Sequence, residues 1–218
     1  MVRPLREAGA AACGVGEEAI VSPSEIMRRP EDTTYGVPRF LSFIDLGYLL
    51  EAAKTADEHL AAKLPVGNTE DERHKIGNLN ATRQSLLRAV FVSSYGIVEQ
   101  NLDELVLMER AKIGAALAPT DLKDRGVNRS LTYATKVLGK SINTSATHWK
   151  DLLLVQELRN HLIHHGPDFA DRRDHDDRLR RFSHSKYVTL RPMICFTIVQ
   201  IEQLFDLYMT CIDDFSGE

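Results

Sequence analysis

The sequence predicts an all-α protein, an antiparallel bundle of four or five helices behind a mobile N-terminal arm. Three observations lead there. Apolar residues recur three or four positions apart through several long windows, the spacing that puts them on one face of a helix. Breaks such as Pro65-Val-Gly67, Gly114 to Gly126 and Gly166-Pro167 separate those windows. Sustained period-two alternation, a two-residue Asn-Gly hairpin signal and internal repeats are absent, so β-structure should be minor. A chain of 218 residues, 43% of them hydrophobic, is long enough to bury one real core.

Residues 1–37 carry Pro4, Pro23 and Pro30 and hold no periodic pattern, so they are expected to form a flexible or loosely packed arm ahead of a helical domain over 38–218. Pro38 suits a helix entry, and Leu41, Ile44, Tyr48, Ala52 and Ala56 make the expected buried stripe of the first helix. The second helix should start near Thr69 to Glu72, where a capping hydroxyl precedes acids that suit the positive end of the helix dipole. Its stripe is Leu87, Val90, Phe91, Val98, Leu102 and Leu105. A shorter helix is expected over Arg129 to Leu138, stopped by Gly139, with a connector over Ser141 to Ser145. Thr147 to His165 reads as the next helix, with Leu154, Val155, Leu158 and Leu162 toward the core and Gly166-Pro167 as its stop. Residues 168–187 are crowded with Asp and Arg and are expected to be a solvated loop. Pro192 then opens a final helix carrying Ile194, Ile198, Ile201, Phe205, Tyr208 and Ile212. Trp149, Phe91, Phe196 and Phe205 sit in these stripes and read as core residues.

Composition narrows the function. A formal net charge of -4 argues against a surface built for long nucleic-acid tracts, so any such contact must be local. Cys13, Cys195 and Cys211 are widely separated and odd in number, which suggests neither a disulfide framework nor a four-thiolate zinc site. No window approaches the ~18 unbroken apolar residues of a membrane helix, and no sustained apolar run follows the first residues as a secretory signal would require. A cytoplasmic location is therefore expected.

The segment Leu158-Arg-Asn-His-Leu-Ile-His-His-Gly166 holds an arginine and a histidine separated by four residues, Arg159 and His164, with polar Asn160 directly after the arginine. It resembles the Arg-x4-His motif of the HEPN superfamily, helical-bundle proteins many of which are ribonucleases in toxin-antitoxin and phage-defence systems. A preceding helix with the pattern Tyr95-Gly-Ile-Val-Glu-Gln-Asn-Leu-Asp-Glu-Leu105 agrees, and the resemblance covers about residues 40–214. It implies a HEPN-like bundle acting as a metal-independent endoribonuclease, with neither cofactor nor metal, on an RNA substrate. It also implies a homodimer in which two copies of the motif meet, and a possible cognate antitoxin. Some members continue the motif with a tyrosine two residues after the histidine, the target of a nucleotidyltransferase antitoxin; here that position is Gly166.

The residue types fit the chemistry. Cleavage of RNA by its own 2′-hydroxyl needs a group to move a proton and a cation to hold the charge growing on phosphate. Histidine titrates near neutral pH, and the arginine fork matches phosphate oxygens. His164 is thus the expected base or acid, Arg159 the phosphate ligand, and Asn160 a hydrogen-bonding positioner, with 2′,3′-cyclic phosphate and 5′-hydroxyl products. On a regular helix Arg159 and His164 lie roughly 140° apart while Asn160 and His164 share a face, so the pair has to converge through the long arginine side chain or an irregular last turn. Glu99, His161 and His165 are supporting candidates, Glu99 either pairing with Arg159 or standing as an ordinary exposed glutamate.

Other readings of the same residues stay open. Arg159 and His164 could be a surface arginine and a histidine that complements the helix dipole. His161, His164 and His165 have a spacing that could hold a metal with Asp168, His175 or Asp176, although no firm motif is present. Asp174-His-Asp-Asp177 reads as solvated charge. Arg172, Arg173, Arg178, Arg180, Arg181 and Lys186 could form a phosphate patch, but the interleaved aspartates favour self-pairing. The runner-up function is a non-catalytic module that binds nucleotides or partner proteins through the same bundle groove.

Overall fold

A computed structural model describes residues 36–168, 175–191 and 193–217. It contains six helices: α1 (Gly36–Ala62), α2 (Glu70–Ile113), α3 (Gly126–Lys136), α4 (Thr147–His165), α5 (His175–Ser183) and α6 (Ile198–Ser216). Between α5 and α6 a short antiparallel hairpin pairs β1 (Thr189–Arg191) with β2 (Met193–Cys195), Leu190 opposite Ile194. The described residues thus form an all-α helical bundle of four long α-helices with two short ones. No described helix is long and apolar enough to cross a membrane.

The spine is α2, 44 residues and therefore about 66 Å long at the rise of an α-helix. Its start is set by a reciprocal cap. Thr69 Oγ1 accepts from the Glu72 backbone N–H at 3.3 Å, and the Glu72 carboxylate accepts from the Thr69 N–H at 2.9 Å. The Thr69 hydroxyl and backbone bonds hold the Glu72 carboxyl below its ordinary range. At the other end Gly114 turns left-handed at φ 67° and closes the helix. The whole expected stripe from Leu87 to Leu105 is buried.

Helix α1 turns back along α2, and Arg83 clamps Asp57 with two bonds of 2.8 and 2.7 Å. Its buried side is not the expected one. Ser42, Leu46 and Ala53 are buried with Leu49 and Leu50 against the core, whereas Leu41 is 36% and Tyr48 75% exposed. Apolar residues run nearly all round this helix, so two stripes compete, and packing on α2 and α6 selects the second.

Helix α4 crosses α2 and lies antiparallel to α6. At its start Trp149 Nε1 donates to Asp214 Oδ2 near the end of α6 at 2.6 Å, and the Trp149 ring meets Phe215 edge-on at 6.3 Å. Trp149, Leu152, Val155, Leu158 and His161 form its buried side. Phe91 of α2 stacks on Phe196 at 4.7 Å, and Gln84 grips the Phe196 backbone by accepting from its N–H and donating to its C=O.

Three expectations need correction. Residues 168–187 are not loop alone: α5 forms within them, and Phe182 and Tyr187 are buried. The final helix begins at Ile198, where Thr197 and Gln200 make a second reciprocal cap, while Ile194 sits in β2 with its side chain buried. Helix α3 starts at Gly126, three residues before the expected Arg129. The expected N-terminal arm lies outside the described residues apart from Gly36 and Val37, which belong to α1, and Asp174 and Pro192 also lie outside the described residues.

Candidate active site

Helix α4 delivers the motif, and its end is fixed from two sides. Gly166 leaves the helix at φ 74°, a conformation that disfavours any side chain, after donating to Leu162 O at 3.0 Å. The next carbonyl, of Pro167, accepts from the Ile194 N–H of β2 at 2.9 Å. The chain just past α4 is therefore tied to the hairpin.

His161 is 4% exposed. Its Nε2 lies 3.1 Å from the Asp168 carbonyl, and its ring meets Phe182 of α5 edge-on at 6.3 Å and His165 at 5.3 Å. That is a packing and tethering role: His161 ties the end of α4 to α5 and to the chain beyond Gly166.

His164 is exposed, one turn from Asn160 on the same face. The two residues line a cleft of about 340 Å³ together with Glu157, His161, His165, Arg178 and Arg181. Three of the motif's polar side chains are thus brought together, with His165 half-buried beside His164 at 6.1 Å between ring centres. Among the described residues no group of three or more His, Cys, Asp or Glu converges as a metal cage would require.

Arg159 does not line this cleft. Its Nη1 donates to Asn160 Oδ1 at 3.0 Å, and its guanidinium lies 5.9 Å from the centre of the Tyr95 ring on α2. Arg159 Nε is buried without a hydrogen-bond partner. The arginine therefore stands behind Asn160, coupled to the cleft through the Asn160 side chain. Tyr95 is buried, and that burial together with nearby Glu99 pushes its hydroxyl well above the usual phenol range.

Glu99 makes no ion pair with Arg159 among the described residues; both charges act on Tyr95 instead. The Glu99 carboxylate sits against the start of α3, where Gly126 has φ 58° and an added Cβ would come within 2.9 Å of Glu99 Oε1 and 3.2 Å of Gln156 Nε2. Glycine is required there on both counts.

Sequence reasoning missed Glu157 and Tyr95 as neighbours of the site and read Arg178 and Arg181 as charged loop. The helix that aims these two arginines at the cleft carries one visible signal, Phe182 four residues after Arg178, the spacing of one helical face. Self-pairing holds for Arg180, 3.6 Å from Asp177, but Arg181 pairs with Glu157 of α4 at 2.8 Å. Comparison with protein-family models, curated proteins and solved structures finds no match to the chain.

Proposed function

We propose that the protein is a metal-independent endoribonuclease, a toxin or phage-defence effector of HEPN type, with Asn160 and His164 at its reacting centre and Arg159 behind them. The observation that carries this reading is the exposed His164 in a cleft it shares with Asn160 and two arginines. An imidazole open to solvent beside cationic donors suits a substrate that brings both a proton to move and a phosphate to hold.

In the proposed reaction His164 accepts the proton of the 2′-hydroxyl as its oxygen attacks the adjacent phosphorus. The new O2′–P bond forms while the P–O5′ bond breaks, and the 5′ oxygen takes up a proton, for which His165, 6.1 Å from His164 between ring centres, is a second imidazole in the cleft. Arg159 stabilises the phosphorane charge once its bond to Asn160 opens and its long side chain turns outward. The products are a 2′,3′-cyclic phosphate and a 5′-hydroxyl, with no net redox change and no metal in any step.

A second reading, a non-catalytic module binding nucleotides or proteins, is favoured by one specific observation: Arg159 is turned to Tyr95 and Asn160 and away from His164's cleft. Incubation of purified wild type and His164→Ala with RNA in EDTA separates the two. Cleavage by wild type alone, leaving cyclic-phosphate ends, is the expected result, with a loss of at least ~100-fold in the variant. Binding of RNA without cleavage by either form favours the module, and equal cleavage by both removes His164 from the mechanism.

A further inference from the structure

The cleft that contains His164 is built from two helices, and its arginines come from the second. Helix α4 supplies Glu157, Asn160, His161, His164 and His165; α5 supplies Arg178 and Arg181. Those two arginines are three residues apart, so they rise from neighbouring turns of one helical face. The motif's own arginine is engaged elsewhere. Among the described residues that line it, the cleft brings the guanidinium groups of Arg178 and Arg181 together with the carboxylate of Glu157.

We infer that Arg178 and Arg181 are the phosphate-binding wall of this cleft, that it takes single-stranded RNA, and that Glu157 holds Arg181 until phosphate replaces it. The inference rests on the ribonuclease reading above and adds to it the residues that seat the substrate.

Three features support it. The wall is anchored: Phe182, beside Arg181, is fully buried and its ring meets that of His161, so α5 is fixed relative to the motif. The present occupant is replaceable: Arg181 Nη1 donates to Glu157 Oε1 at 3.0 Å and lies 2.8 Å from Oε2, but the two side chains are 49% and 47% exposed. A pair so open to water contributes little to stability and is exchanged at small cost for an RNA phosphodiester, whose two non-bridging oxygens a guanidinium fork takes together. The room is limited: about 340 Å³ is at the lower end of small-ligand clefts, enough for one phosphate and its sugar and too little for a duplex.

The test is binding of a labelled, fully 2′-O-methylated single-stranded RNA, which cannot be cleaved, followed by fluorescence anisotropy over a range of salt. The double variant Arg178→Ala/Arg181→Ala should bind at least ~10-fold more weakly and lose roughly 1.4 from the slope of log affinity against log salt, about 0.7 for each phosphate contact removed. Glu157→Gln should bind a few-fold more tightly. Arg178→Lys/Arg181→Lys should keep the salt slope, which separates loss of charge from loss of fold. Equal affinity and slope in wild type and the double alanine variant would overturn the inference, as would duplex binding as tight as single-strand binding. If wild type cleaves RNA while these variants bind alike, only the α5 wall falls; if wild type neither binds nor cleaves, the ribonuclease reading falls with it.

Discussion

Three histidines stand within five residues at the end of α4, and burial divides their roles. His161 is 4% exposed and bonded toward the Asp168 carbonyl, while His164 faces solvent. Truncating a buried ring leaves a cavity and an unsatisfied carbonyl, whereas truncating an exposed one removes little packing. His161→Ala should therefore lower unfolding stability by about 2–3 kcal/mol, and His164→Ala should stay within ~0.5 kcal/mol of wild type while abolishing cleavage. Urea unfolding monitored by circular dichroism reads both. A His161→Ala protein as stable as wild type would remove the tethering role, and a strongly destabilised His164→Ala protein would make its loss of cleavage a folding effect. The shared face of Asn160 and His164 was readable from their spacing of four, because that depends only on helix geometry. The direction of Arg159 was not, because it is settled by Tyr95, which lies 64 positions earlier in the chain.

At the scale of elements, the end of α6 is tied to the start of α4 by one carboxylate. Asp214 accepts from Trp149 Nε1 at 2.6 Å and lies 3.0 Å from His148 Nε2. Burial pushes the Asp214 carboxyl up, but the bonds from Trp149 and His148 outweigh it and leave it below its ordinary value of 3.8. A carboxyl lowered by folding stabilises the native state above its unfolded pKa, and that contribution is lost as the pH falls through the lowered value. Asp214→Asn should thus be less stable than wild type at neutral pH, and the gap should narrow once the pH drops below about 4. Thermal melts across that range check it; a gap that is constant with pH would show that only the shape of the side chain matters. Element boundaries were readable where short-range chemistry sets them, as at Thr69 with Glu72 and at Gly166. They were not where distant packing decides, as for the buried side of α1. Helix α5 escaped notice because its charges dominate the pattern, and the hairpin because strands of three residues are too short to show a period.

For the molecule as a whole, the proposed mechanism requires a cation beside His164 in the transition state. A single copy offers Arg178 and Arg181 within the cleft and Arg159 behind Asn160. A second copy could instead supply its own Arg159, which is the arrangement the family resemblance implies. Ile163, 46% exposed beside His164, is an apolar residue of the kind such a contact covers. Two copies with a net charge of -4 each repel one another, so association should strengthen with salt while RNA binding weakens. Sedimentation at rising protein concentration should reveal a dimer, and specific cleavage activity should rise over the same range. Mixing two inactive proteins then decides how the site is shared. If Arg159 of one copy serves His164 of the other, Arg159→Ala combined with His164→Ala should recover part of the wild-type cleavage, because half of the mixed dimers' sites pair an intact arginine with an intact histidine. If each copy uses its own pair, every site lacks one partner and the mixture stays inactive, and the cation must then come from Arg159 turning outward in the same chain or from α5.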